Sequence, residues 1–243
     1  MIPYSGDGET EQSQSEGSGY LRTLFLTELL TRHLPRMPWY LLELQGALED
    51  RSTDLEKVCT ALQRSPAICE SFVKLACIAQ KARPIRIALD HLVVMLGKQR
   101  SWETSVAAFF LTEVGRPWTN AGMKKVAAIA IAQATQALAE AEMTDAEEPG
   151  DAYTRALLSV VGLVPLVDAA AATDMAPEWV DITPEALQKQ QERFGTDYVE
   201  LTRWIKLMWQ VLETPEKTSS YGRIHTLYGQ TNHESRVTIA PIR

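Results

Sequence analysis

Apolar side chains recur at intervals of three and four residues along most of this 243-residue chain. The segment from Asp197 to Leu212 is representative, and its apolar residues are Leu201, Trp204, Ile205, Met208 and Val211. This spacing places the apolar side chains on one face of a helix, whereas a half-buried strand needs strict alternation. Such alternation is not found before residue 214. The pattern therefore predicts an all-α protein built as a helical bundle.

Capping residues and glycine divide this pattern into separate helices. Ser65 and Thr183 each precede a proline, and a hydroxyl followed by proline favours a helix start because the ring needs no N–H partner there. Ser52 or Thr53 is expected to cap an earlier helix, from Asp54 to Gln63, with its hydroxyl. Gly97 predicts the end of one helix before another begins near residue 102.

The stretch 152–172 is apolar almost all round and predicts one continuous, central, buried helix. Its length is close to that of a membrane span. However, it contains Arg155, Pro165 and Asp168, which disfavour insertion into a bilayer. We therefore interpret it as part of a core and expect no membrane association.

Charge and cysteine content limit the partners and the compartment. The formal net charge is −7, which disfavours nucleic acid as a partner because neutralising phosphates requires clustered Lys and Arg. Cys59, Cys69 and Cys77 form no CxxC pair and are typical of reduced core thiols. The first residues show no basic and apolar leader. We expect a cytoplasmic protein.

Composition divides the chain into four parts. Residues 1–19 are rich in Gly, Ser and Glu and predict a disordered tail, since they cannot bury enough apolar surface to order themselves. A smaller helical subdomain is predicted over 20–113 and a second helical bundle over 114–213. The polar remainder, 214–243, is predicted to be a C-terminal tail.

The tryptophans are the residues to examine for a surface that binds a partner. Aromatic residues at helical spacing usually belong to the core, which is our expectation for Trp102, Trp204 and Trp209. Trp39 and Trp179 instead stand beside turn prolines, and we expect these two on the surface.

The spacing of reactive residues matches no catalytic motif. The histidines are far apart, without the spacing of a zinc helix: His33, His91, His225 and His233. Ser159 superficially resembles the nucleophile of a hydrolase, but that motif needs glycine two residues before and two after the serine. Leu157 and Val161 occupy those positions. We predict no catalytic residue and no metal from spacing alone.

Short segments in the first half of the chain occur in a characteristic order. LPRMP at 34–38 precedes a helix and an acidic turn, SPAI at 65–68 starts a later helix, and Leu96-Gly97 ends a further one. In this order the segments resemble the HDOD family, a divergent branch of the HD-domain superfamily of bacterial signalling proteins. The resemblance spans about Leu24 to Leu212. It implies an HD-like helical bundle with a smaller N-terminal helical subdomain.

Three later segments resemble those in which HD hydrolases carry their metal ligands: RPWTNAG, SVVGLV and FGTDY. The resemblance places Asn120 at the first histidine, Ser159 and Val160 at the His-Asp pair, and Tyr198 at the last histidine. Amides and hydroxyls are poor substitutes for imidazole on a transition metal, and valine has no donor atom. The resemblance therefore implies a vestigial pocket at these residues, with no metal and no cofactor.

A simpler explanation of the same residues stays open. Asn120, Ser159 and Tyr198 would then only satisfy buried hydrogen bonds between packed helices, because buried polar groups need partners in any fold. A retained pocket for a small ligand is the alternative.

The family resemblance implies a non-catalytic regulatory module, a pseudoenzyme of bacterial signal transduction. It would bind a protein partner of unknown identity or a small regulatory ligand. Two alternatives stay open. One is a metal-dependent phosphohydrolase with non-standard ligands recruited from Asp168, Asp197, Glu200 or His225. The other is a structural scaffold that forms a homodimer.

Overall fold

The computed structural model describes residues 24–50, 54–80, 88–116, 120–144, 148–170 and 177–211. All regular secondary structure within these ranges is helical, which confirms the all-α prediction. The predicted tails at 1–19 and 214–243 lie outside the described residues. The helices are α1 (24–33), α2 (Trp39–Glu49), α3 (Leu55–Gln63), α4 (Pro66–Ala79), α5 (Leu89–Val114), α6 (Ala121–Thr144), α7 (Pro149–Leu158), α8 (Leu163–Ala169), α9 (Pro184–Phe194) and α10 (Tyr198–Met208).

Hydroxyl caps start two of these helices as predicted. The Ser65 hydroxyl accepts a hydrogen bond from the Ile68 amide at 3.4 Å, and the Thr183 hydroxyl accepts one from the Ala186 amide at 3.3 Å. The predicted cap of α3 was wrong. The carboxylate of Asp54 accepts from the Glu56 amide at 3.3 Å, which moves the start of the helix to Leu55, while 51–53 lie outside the described residues.

Gly97 interrupts α5, which confirms the predicted break. Its backbone has φ 72° and ψ 175°, a conformation that residues with a β-carbon almost never adopt. The helical residues before and after Gly97 therefore form two helices joined by a kink rather than one straight rod.

The prediction of one continuous helix over 152–172 was wrong. Helix α7 ends at Leu158, residues 159–162 form a turn, and α8 begins at Leu163. Pro165 gives one physical reason, because its ring cannot donate to the carbonyl of residue 161 and clashes with it in a continuous helix. The stretch Pro149–Ala169 is long and apolar enough to cross a membrane, but 67% of its most apolar window is buried inside the fold.

One cluster of buried apolar side chains extends from Leu26 of α1 to Val211 after α10. Phe72 of α4, Phe110 of α5 and Leu157 of α7 are fully buried within it. The described residues fall within one compact unit that ends at Val211. The boundary predicted between residues 113 and 114 stays a prediction.

The two tryptophans expected on the surface differ in their environment. Trp39 is 62% exposed, as predicted, whereas Trp179 is only 6% exposed, so that prediction was wrong. Trp179 packs edge-on against Phe194, with ring centroids 5.1 Å apart, and the Arg193 guanidinium lies 5.8 Å from the centre of its ring. A neighbouring proline marks a turn, but this tertiary contact determines the burial.

Glycine allows α7 to cross α4 at close range. A β-carbon on Gly150 would lie 2.0 Å from the α-carbon of Ala79, which is backbone and cannot move away cheaply. By contrast, Gly46 is exposed within α2, and a β-carbon there would meet nothing within 4 Å. Close packing between helices therefore requires glycine at position 150, whereas no neighbouring atom requires it at position 46.

We expect alanine to have opposite effects at these two positions. Gly150→Ala should lower the free energy of unfolding by about 1–3 kcal/mol or more, because the methyl group collides with α4. Gly46→Ala should raise it by about 0.5–1 kcal/mol, because alanine loses less entropy in a helix. Urea unfolding of both variants and the wild type measures the difference. An equal response of the two variants would contradict this packing.

Candidate functional site

Asn120 lies at the start of α6 and is half-buried. Its side-chain oxygen accepts a hydrogen bond from the Met123 amide at 2.8 Å, and its backbone carbonyl accepts from Lys124 at 3.1 Å. This is the geometry of an N-cap, in which a side-chain oxygen satisfies an amide of the first turn. The amide oxygen of Asn120 is therefore already used within its own helix.

Ser159 and Val160 follow the last residue of α7. The Ser159 hydroxyl donates to the Ala156 carbonyl at 2.7 Å, a bond within its own helix end. Val160 is 1% exposed and belongs to the apolar core. Val160 has no atom that could coordinate a metal ion, and the Ser159 hydroxyl is engaged at the end of its own helix.

The turn after α7 packs directly against the first turn of α10. A β-carbon on Gly162 would lie 2.0 Å from the Tyr198 carbonyl oxygen and 2.6 Å from the Thr202 amide nitrogen. The Thr202 hydroxyl accepts from the Gly162 amide at 2.9 Å and donates to the Ser159 carbonyl at 3.2 Å. These contacts bring the turn that carries Ser159 and Val160 against the helix that begins at Tyr198.

Tyr198 is the first residue of α10 and is 7% exposed. Burial, together with the negative charges of Asp197 and Asp181, raises the pKa of its phenol to about 12. The phenol of Tyr198 is therefore protonated at neutral pH. A protonated phenol is a weak metal ligand, because coordination needs the anionic oxygen.

Gln190 is a buried polar residue that the sequence analysis did not single out. Its side chain is fully buried and donates to the carbonyls of Trp179 and Asp181, at 2.8 and 3.1 Å. Its side-chain oxygen accepts from the Tyr198 amide at 2.9 Å. Gln190 thus joins the segment 179–181 to the start of α10. A glutamine on a helix gives no sequence signal that distinguishes this role from a solvated one.

Two contacts connect the start of α6 to the same region. A β-carbon on Gly122 would lie 2.7 Å from the Val167 side chain, so the first turn of α6 packs closely on α8. Lys125 forms an ion pair with Asp181 at 3.1 Å. These contacts connect the start of α6, which carries Asn120, to α8 and to the segment 179–181. The vestigial pocket itself stays a prediction.

Two acidic residues of the alternative hydrolytic site are bonded to other groups of the protein. Asp168 lies 2.9 Å from the Nδ1 atom of His33 in α1. Asp197 caps α10 by accepting from the amides of Val199 and Glu200, at 2.9 and 3.0 Å. His225 lies outside the described residues. Within the ranges that the structure describes, no three His, Cys, Asp or Glu residues are grouped as a metal site.

The donor chemistry at the predicted positions does not fit a divalent metal ion. Asn120 offers an amide oxygen already used as a cap, and Ser159 offers a hydroxyl whose proton is bonded to a carbonyl. Val160 offers only alkyl carbon, and Tyr198 offers a protonated phenol. Metal-dependent hydrolysis instead uses ligands that hold the ion, and the bound ion lowers the pKa of its water to about 7.

Comparisons with known proteins identify a family. The family model for the HDOD domain matches residues 34–220. No curated protein matches the chain. A solved HDOD domain protein of unknown function from Geobacter sulfurreducens is 21% identical, with 79% of this chain and 66% of that chain covered and a TM-score of 0.49. A protein provisionally named a phosphohydrolase, from Shewanella amazonensis SB2B, is 20% identical, with 79% and 68% covered and a TM-score of 0.48. The chain spans about two thirds of the length of both.

We expect the Thr202 hydroxyl to stabilise the contact between the turn and α10. Thr202→Val keeps the shape of the side chain but leaves the Gly162 amide without its acceptor, which should cost about 1–3 kcal/mol of unfolding free energy. Thr202→Ser keeps the hydroxyl and is the matched control. Hydrogen exchange of the Gly162 amide should accelerate in the valine variant and much less in the serine variant. Equal exchange in the two variants would contradict this role.

Proposed function

The chain belongs to the HDOD domain family, and from this we propose that it is a non-catalytic regulatory module of bacterial signal transduction. The module works in the cytoplasm by binding a protein partner or a small regulatory ligand. It is a pseudoenzyme in this proposal, because it uses an HD-like helical framework without performing hydrolysis. Nucleic acid is not a favoured partner of a chain with a net charge of −7.

The observation that supports this proposal most is the set of side chains at the predicted ligand positions. Asn120 caps a helix, Ser159 bonds to its own helix end, and Val160 lies in the core. Generating hydroxide at neutral pH requires a metal that lowers the pKa of water from about 15.7 to about 7. Side chains bonded in this way are unsuited to holding such a metal.

One alternative has a specific observation in its favour. The imidazole of His33 and the carboxylate of Asp168 are 2.9 Å apart, and these are two groups of the kind that bind metal. A hydrolase with non-standard ligands would be built around this pair. Two ligands are fewer than the three protein ligands typical of a catalytic zinc site, so further donors would be needed.

We expect the purified chain to bind no stoichiometric metal and to hydrolyse no phosphodiester. The test is elemental analysis after incubation with Mn²⁺, Fe²⁺ or Mg²⁺ and removal of excess ion, followed by an assay with bis-p-nitrophenyl phosphate. Stoichiometric metal together with turnover would contradict the proposal. A His33→Ala, Asp168→Asn variant that lost both would identify the alternative site.

Two further measurements distinguish the kinds of binding that we propose. A small ligand that binds only the folded state raises the thermal midpoint as its concentration rises, so cyclic dinucleotides and nucleoside triphosphates serve as probes. A protein partner would instead be recovered by affinity purification from the native cell and identified by mass spectrometry.

A further inference from the structure

A shallow groove runs along α4 on the surface of the N-terminal helices. Its volume is about 540 Å³. The lining residues come from the end of α3 and from α4, and they are Gln63, Pro66, Cys69, Glu70, Val73 and Lys74. None of them is one of the predicted ligand positions Asn120, Ser159, Val160 and Tyr198.

The groove residues of α4 form a regular stripe. Pro66, Cys69 and Val73 are three and four residues apart, so they share one face of the helix. Glu70 and Lys74 border this apolar stripe, and their side chains are 68% and 67% exposed. They form an ion pair at 2.6 Å, with the acid one turn before the base. The stripe thus has an apolar centre and one charge of each sign.

An exposed tryptophan extends this surface beyond the groove. Trp39 is 62% exposed, and the guanidinium of Arg64 lies 5.7 Å from the centre of its ring. Arg64 directly follows Gln63 of the groove lining. Leu42, three residues after Trp39 on α2, is 54% exposed. Tryptophan and arginine are the residue types that most often dominate the binding energy of protein interfaces.

We propose that this surface, formed by the α4 groove with Trp39 and Leu42, pairs with the same surface of a second copy of the chain. A two-fold axis near the middle of α4 would place the two α4 helices antiparallel. Glu70 of each copy would then face Lys74 of the other, and Cys69 of each would pack near Val73 of the other. The two symmetric ion pairs border a shared apolar centre.

Charge complementarity is the reason for choosing a second copy over another partner. An acid followed one turn later by a base is complementary to its own antiparallel copy. A partner with charge of a single sign would place a like charge opposite either Glu70 or Lys74, which disfavours association. Stable interfaces bury about 800 Å² on each partner, so the groove needs the added area of Trp39 and Leu42.

Sedimentation equilibrium of the full chain tests the pairing. We expect the mass to rise with concentration from 27.1 kDa towards twice that value. Glu70→Lys or Lys74→Glu alone puts like charges opposite each other at both symmetric contacts, and each should raise the dimer Kd about tenfold. The double variant Glu70→Lys, Lys74→Glu restores opposite charges across the axis, and its Kd should return towards that of the wild type.

A matched control comes from α1. Glu28 and Arg32 also form an exposed ion pair four residues apart, at 3.1 Å, so Glu28→Lys should leave the Kd unchanged. Thermal midpoints of all variants verify that they fold. A monomer at every concentration would overturn the proposal, as would single reversals without effect or a double variant that is not rescued. None of these results depends on whether the chain binds metal, so this proposal and the proposed function can fail separately.

Discussion

The close approach of the α7–α8 turn to α10 is the constraint on which the candidate site depends. A β-carbon on Gly162 would lie 2.0 Å from the Tyr198 carbonyl, so a residue with a side chain would force the two elements apart. The Thr202 hydroxyl then bonds both the Gly162 amide and the Ser159 carbonyl. Backbone contact and one hydroxyl thus bring together segments that the family resemblance assigns to metal ligands.

The polar groups around this contact find their partners within the protein. Asn120 caps α6, and buried Gln190 joins the segment 179–181 to the start of α10. Each such bond contributes only about 1 kcal/mol, but leaving the buried amide of Gln190 unpaired would cost more. This arrangement stabilises an HD-like framework through hydrogen bonds and burial.

Two helix starts and one helix break were predicted correctly from the sequence. Ser65 and Thr183 start helices and Gly97 breaks one, because capping and backbone conformation depend on near neighbours. The break within 152–172 was missed, since its apolar pattern is continuous and the turn serves a contact with α10. Trp179 was wrongly predicted to lie on the surface, and Gln190 was not recognised as a buried residue. The burial of both depends on contacts with residues in other segments of the chain. The predicted ligand positions rest on the family resemblance and stay a prediction, because periodicity alone does not indicate them.

We propose that an HD-like framework persists here while its metal-binding groups do not. A crystal grown with manganese, with anomalous diffraction recorded at the manganese edge, tests this claim most directly. We expect no ordered ion between the α6 start, the α7–α8 turn and the α10 start, with the bonds of Asn120 to Met123 and of Gly162 to Thr202 intact. An occupied manganese site among Asn120, Ser159 and Tyr198 would contradict it.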